Sequence, residues 1–141
     1  DILTGGSYEG LYYQPTVISG VTRDMSIFRD ETFGPVAPVI TVASDDEAVD
    51  VANDSVYGLS AGVITGDEER GLEIARRLET GMAHVNDSPV NDEPHAPFGG
   101  CKASGIGRHG GKQSLDMYTE TRWLTLQSDE REYPPPFVEK N

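Results

Sequence analysis

Cys101 is the only cysteine in 141 residues. No internal disulfide can form, and a reducing, cytoplasmic setting is expected. Lysine is nearly as scarce, confined to Lys102, Lys112 and Lys140. Lys and Arg together number 11 against 24 Asp and Glu, a formal net charge of −13. A surface this negative repels nucleic acid and anionic lipid, which excludes both as partners. Long hydrophobic runs are also missing. No stretch approaches the roughly 18 apolar residues of a transmembrane helix, so no membrane partner is expected. The opening DILTGGSYEG has no basic segment followed by an apolar run, so it does not read as a signal peptide. It also lacks an initiator Met, and the chain is expected to be processed or a fragment.

What is present is globular in composition: 36% hydrophobic and 25% charged, with the length of one ordinary domain. An acidic, lysine-poor surface stays hydrated in concentrated salt. The balance fits a salt-loving source or an ordinary acidic enzyme, and the first predicts loss of structure in dilute buffer.

The apolar pattern predicts an α/β fold. Leu11 to Val17 (LYYQPTV) reads as a strand with Pro15 at an edge or bulge. A short helical turn is expected at Asp24 to Phe28. Val36 to Val42 and Leu59 to Thr65 are near-continuous apolar runs, as in strands buried on both faces. Between them, Ser44 and Glu47 match a capping box, and Asp45 and Asp46 favour the positive helix start. Gly66 and Asp67 open a second helix, with Leu72, Ala75 and Leu78 on one stripe and Gly81 as its expected C′ residue. Met82 to Asn86 reads as a third strand. Alternating strands and helices with short connections predict βαβ units and a mostly parallel sheet. A polar, proline-rich loop spans Asp87 to Pro97, and a short helix is expected at Gly110 to Met117. Thr119 to Gln127 alternates, with Leu124 and Leu126 on one face, as in a half-buried strand.

The chemistry-bearing candidates are weak one by one. Gly105, Gly107 and Gly110 spell G-x-G-x-x-G, but GGCKAS precedes them where a dinucleotide fold needs an apolar strand. The matching acidic residue would fall near Asp129, in the tail. The phosphate-loop pattern fails too, because Gln113 follows Gly111-Lys112. Cys101 has His95, Lys102 and His109 nearby in sequence, which leaves open a reactive thiol or a small residue at a turn. His95, Cys101 and His109 lack the paired spacing of a metal site, and no metal is expected. Asp92 and Glu93, in the proline-rich loop, could serve acid–base work. Asp45, Asp46 and Glu47 are better explained by capping.

Several segments together resemble the NAD(P)-dependent aldehyde dehydrogenases: GLYYQPTV at 10–17, ETFGPVAPV at 31–39, ANDSVYGLSAGV at 52–63, GMAHVND at 81–87 and PFGGCKASGIGRHGG at 97–111. They stand in family order and cover roughly residues 5–127, but match only the last third of such an enzyme. ETFGP with PFGG-x-K-x-SG-x-GR is the specific combination. The resemblance implies a catalytic-domain portion over residues 1–102, a glycine-rich turn and short helix over 103–118, an oligomerisation strand over 119–128 and a tail over 129–141. It implies NAD or NADP as cofactor, an aldehyde as substrate and a homo-oligomer assembled through the C-terminal strand.

In this family a cysteine thiolate attacks the aldehyde, hydride passes to the nicotinamide, and a glutamate activates water to hydrolyse the thioester. The resemblance puts both residues, and the turn that cradles the cofactor phosphates, upstream of residue 1. Cys101 falls at the variable position of PFGG-x-K, so no catalytic residue is expected in this chain, and the chain alone is expected to be inactive. Glu31 matches the glutamate that binds the nicotinamide ribose hydroxyls, which two acceptor oxygens suit. Phe33 matches the aromatic packed near the nicotinamide. Phe98 matches an aromatic of the substrate tunnel, or is a core phenylalanine. The loop HVNDSPVNDEPHAPFGG looks most like the benzaldehyde, salicylaldehyde and vanillin dehydrogenase branch. It suggests an aromatic aldehyde, with Val90 and Asn91 as lining candidates. Two alternatives stay open: an acyl-phosphate or acyl-CoA reductase on the same scaffold, and a stand-alone module that binds or caps dehydrogenase subunits. The isolated chain is expected to be marginal or aggregation-prone, with apolar faces built for partners.

Overall fold

The computed structural model describes residues 1–133. From the N-terminus, β1 (Ile2–Thr4) leads into a hairpin of β2 (Tyr8–Glu9) and β3 (Tyr12–Tyr13). There follow β4 (Thr16–Ser19), α1 (Ser26–Arg29), β5 (Val36–Val39), α2 (Asp45–Asn53), β6 (Tyr57–Gly58), β7 (Ser60–Val63), α3 (Glu68–Arg77), β8 (Met82–Val85), β9 (Cys101–Lys102) and α4 (Gly111–Met117).

Two βαβ units organise these elements. β4 and β5 pair in parallel around α1, and β7 and β8 pair in parallel around α3. The α/β class therefore holds, but the expected mostly parallel single sheet does not. β1 runs antiparallel on β4, β2 on β3 and β6 on β9. The described strands form four separate sheets, because α2 links the two units without bringing β5 beside β7.

Local chemistry explains the helices. Ser44 Oγ accepts the Glu47 N–H at 3.2 Å, and the Glu47 carboxylate accepts the Ala43 N–H at 2.7 Å. The capping box is present, with its return bond one residue earlier than the motif prescribes. Asp67 caps α3 by accepting the Arg70 N–H at 3.1 Å. Asp45 and Asp46 pair with Arg70 and Arg77, so the acidic cluster also ties α2 to α3. The Asn53 amide donates to the Arg77 carbonyl at 2.9 Å, and its oxygen accepts the Glu79 N–H at 2.8 Å. Asp45 at the start of α2 meets Arg70 near the start of α3, and Asn53 meets Arg77 where both helices end, so the two run side by side in one direction, with the Arg77 side chain also reaching Asp46.

Four sequence expectations are corrected. The strand expected at Leu11 to Val17 is split between β3 and β4, because Pro15 has no N–H for a ladder. α3 ends at Arg77 with Leu78 as C-cap, and Gly81 instead opens β8 by donating to the Gly58 carbonyl at 3.0 Å. β5 stops at Val39, and its residues are half-buried or exposed rather than covered on both faces. Thr119 to Gln127 makes no ladder among the described residues. A strand is defined by its neighbour, and this segment has none here. The tail expected over residues 129–141 lies partly outside the described residues.

The shortage of cover is general. The accessible surface is 11596 Å² for 15.3 kDa, against about 7,100 Å² for a compact monomer of that mass. Val21 and Val49 are the buried apolar side chains among the described residues, while Leu11, Phe33, Ile106 and Leu126 stand almost fully exposed. Among the described residues, no helix is long and apolar enough to cross a membrane.

Candidate functional site

The stretch from Pro97 to Arg108 works as a clamp. Phe98 and His109 exchange backbone hydrogen bonds at 2.8 and 2.7 Å, and β9 pairs with β6. Lys102 Nζ donates to the Asn53 carbonyl at 2.7 Å and the Ser55 carbonyl at 3.1 Å, and pairs with Glu79 at 2.6 Å. Ser104 Oγ accepts the Gly58 N–H at 2.9 Å. Arg108 donates to the Gly100 carbonyl at 2.7 Å and the Gly107 carbonyl at 2.8 Å. The polar residues of PFGG-x-K-x-SG-x-GR thus fasten the ends of α2 and β6 to β9. Sequence reasoning missed this role, although the lysine, serine and arginine stood in the motif.

The other candidates in this stretch separate. Gly105, Gly107 and Gly110 take positive φ, and the helix after them has 7 residues. They are turn glycines and not a strand–turn–helix phosphate cradle. The Cys101 thiol donates to the Glu79 carbonyl at 3.0 Å and the Gly58 carbonyl at 3.5 Å. His95 lies exposed, 3.9 Å from Glu93, and does not approach Cys101 within hydrogen-bond distance. Among the described residues no His, Cys, Asp or Glu group is arranged to hold a metal.

Glu31 and Phe33 stand in the irregular segment before β5, and each borders a different cleft. Glu31 lies on a cleft of about 620 Å³ walled by Asn53, Tyr57, Ser60, Thr80 and Ser104. Its carboxylate is exposed and has no hydrogen-bond or ion-pair partner among the described residues. Phe33 is 92% exposed and borders an apolar cleft with Leu11, Tyr13, Ile18, Ile27 and Val36. The structure does not close the two into one pocket. Their chemistry nevertheless fits a nicotinamide riboside: free acceptor oxygens for a diol and an uncovered aromatic face for a ring.

The loop after β8 is held by its own polar groups. Asn86, at φ 56, accepts the Thr65 N–H at 2.8 Å. Ser60 Oγ donates to the Pro89 carbonyl at 2.7 Å. Asp87 accepts the Ser88 N–H and the Asn91 amide, both at 2.8 Å. Those donors, the backbone N–H first, hold its carboxyl below the usual range. Asn91 and Phe98 border a small pocket of about 110 Å³, but Val90 does not and is 90% exposed. Asp92 and Glu93 stand at its rim, and His84 borders it from β8. His84 escaped sequence reasoning because MAHV reads simply as a strand.

The aldehyde dehydrogenase family model matches residues 1–124, and the chain belongs to that family. It is 48% identical to a benzaldehyde dehydrogenase [NAD(+)] of Pseudomonas putida, over 94% of this chain and 28% of the relative. It is 44% identical to a vanillin dehydrogenase of Pseudomonas fluorescens, again over 94% of this chain and 28% of the relative. The crystal structure of a salicylaldehyde dehydrogenase from Pseudomonas putida G7, complexed with salicylaldehyde, superposes with a TM-score of 0.88 at 42% identity. That likeness covers 95% of this chain and 28% of the solved one. The chain therefore spans less than a third of the length of these relatives.

Proposed function

We propose that residues 1–128 form the C-terminal part of an NAD(P)-dependent aldehyde dehydrogenase, cytoplasmic and homo-oligomeric, that oxidises an aromatic aldehyde to its acid. The observation that carries this is the likeness to benzaldehyde dehydrogenase over 94% of the chain. When bound, NAD or NADP supplies the hydride acceptor. Glu31 accepts hydrogen bonds from the ribose hydroxyls, and Phe33 packs on the nicotinamide ring. Phe98, Asn91 and Val90 shape the substrate entrance. The nucleophilic thiol and the general base come from polypeptide outside residues 1–141. The Cys101 thiol donates to the Glu79 and Gly58 backbone carbonyls and to no side-chain base. Exposed Leu124 and Leu126 support pairing of 119–128 with a neighbouring subunit's sheet.

Two assays test this. The 141-residue chain with benzaldehyde and NAD+ or NADP+ is expected to give no cofactor reduction. Turnover that Cys101→Ser abolishes would overturn the reading. The second assay uses a chimera in which residues 1–124 replace the matching segment of the Pseudomonas putida benzaldehyde dehydrogenase. There Glu31→Gln is expected to raise the cofactor KM about tenfold or more, the worth of one charge-assisted hydrogen bond. An unchanged KM would remove Glu31 from the cofactor site.

We also propose a salt-loving source. Among the described residues every carboxylate is exposed except Asp45 and Asp54, which are half-buried. Raising salt from roughly 0.01 to 1 M shortens the screening length from about 30 to 3 Å. With 24 acids against 11 bases, screened repulsion outweighs weakened ion pairs, so Tm is expected to rise across that range. A flat or falling Tm by circular dichroism would indicate an ordinary acidic enzyme.

A further inference from the structure

Resting on the proposed function, we infer that His84 is a specificity-determining residue: its imidazole recognises a hydroxyl carried on the ring of the aromatic aldehyde. His84 sits on β8, half-buried, at the edge of the pocket that Phe98 and Asn91 share. Its Nε2 is sealed from solvent and has no protein hydrogen-bond partner among the described residues. A buried imidazole nitrogen left so is unfavourable, and an apolar residue would avoid that cost. Its polar neighbours are engaged: Asp87 with Ser88 and Asn91, Ser60 with Pro89, Asn86 with Thr65. Among the described residues, His84 Nε2 is the buried side-chain polar atom left without a partner.

The pocket suits an amphipathic ring. Met82, Ala96, Pro97 and Phe98 give it apolar walls, and about 110 Å³ admits something near the size of one aromatic ring. Asp92 and Glu93 at the rim oppose a substrate that already carries a carboxylate, so the class is a neutral hydroxylated aldehyde. Reaching Nε2 requires a turn about χ2, a soft torsion for histidine, or a small shift of the 91–98 segment. A neutral imidazole can then accept from, or donate to, the ring hydroxyl.

The chimera described above tests this with 4-hydroxybenzaldehyde, benzaldehyde and succinic semialdehyde. The parent chimera is expected to prefer the first. In His84→Leu the ratio of kcat/KM for 4-hydroxybenzaldehyde over benzaldehyde is expected to fall about tenfold, one hydrogen bond's worth, while His84→Gln restores part of it. An unchanged ratio in an active His84→Leu chimera overturns the assignment of His84. A folded chimera inactive on every aldehyde overturns the proposed function instead. Independently, phenol is expected to shift the His84 imidazole 15N signals of the labelled 141-residue chain, and benzene is not. Equal shifts from both probes, or none, overturn the hydroxyl contact.

Discussion

Gly81→Ala is expected to destabilise the fold by at least about 3 kcal/mol. A Cβ on Gly81 would fall 1.8 Å from the Gly99 carbonyl oxygen and 2.7 Å from its carbon. Both atoms are backbone, so no side chain can swing aside. Retreat of the β8 side breaks the Gly81 N–H bond to Gly58 and the Met82 N–H bond to Leu59, each 3.0 Å, at the start of the β7–β8 ladder. Retreat of the other side moves Gly99, and with it Phe98 and its paired hydrogen bonds to His109. One methyl group therefore damages a parallel ladder and the Phe98–His109 bridge together. With Val21 and Val49 as the buried apolar side chains among the described residues, little stability is held in reserve. The urea transition followed by far-UV circular dichroism should lose its cooperativity. Gly66→Ala is the control, because a Cβ there meets nothing within 4 Å, and its midpoint should not fall. A Gly81→Ala midpoint equal to the control's would show that the 81–99 contact opens freely.

Gly81 also shows where sequence reasoning stops. A glycine shortly after a helical stripe reads as a C′ residue, because that rule is local. Its actual constraint comes from Gly99, eighteen positions on. The helix starts were legible for the same reason in reverse: Ser44 with Glu47, and Asp67 with Arg70, are local interactions. The apolar runs at β5 and β7 announced strands but not pairing, since α2 carries the chain between two sheets that do not meet. Thr119 to Gln127 has the alternation of a strand, yet a ladder needs a second strand that these residues do not find. Glu31 and Phe33 were legible only through the ETFGP resemblance, and nothing local showed that they face different clefts. His84 and Lys102 were invisible as site-shaping residues. The missing partners of one and the distant partners of the other exist only after folding.

Lys102→Met is expected to cost about 2 kcal/mol, chiefly through two carbonyls and not through the ion pair. The ammonium has three donors, and Asn53, Ser55 and Glu79 take them all. Asn53 ends α2, so the charge sits where unpaired carbonyls and the negative helix end both favour a cation. The side chain is only 24% exposed, whereas Glu79 is 59% exposed. Water and salt screen the carboxylate, which limits that pair to a few tenths of a kcal/mol. The backbone points the same way. Lys102 holds φ 53, a conformation that costs a non-glycine residue about 1 kcal/mol, and the fastened side chain keeps it there. Lys102→Arg should not rescue the loss, because a planar guanidinium cannot aim at three partners set around one ammonium. Glu79→Gln separates the contributions and should cost less than about 0.5 kcal/mol. Amide exchange at Ser55, Val56 and Tyr57 should quicken in Lys102→Met and not in Glu79→Gln. These residues border the Glu31 cleft or the groove beside it, so the same variant should loosen the wall that Glu31 faces. Equal losses from the two substitutions would transfer the clamp's strength to the ion pair, and both losses should then shrink as salt is raised.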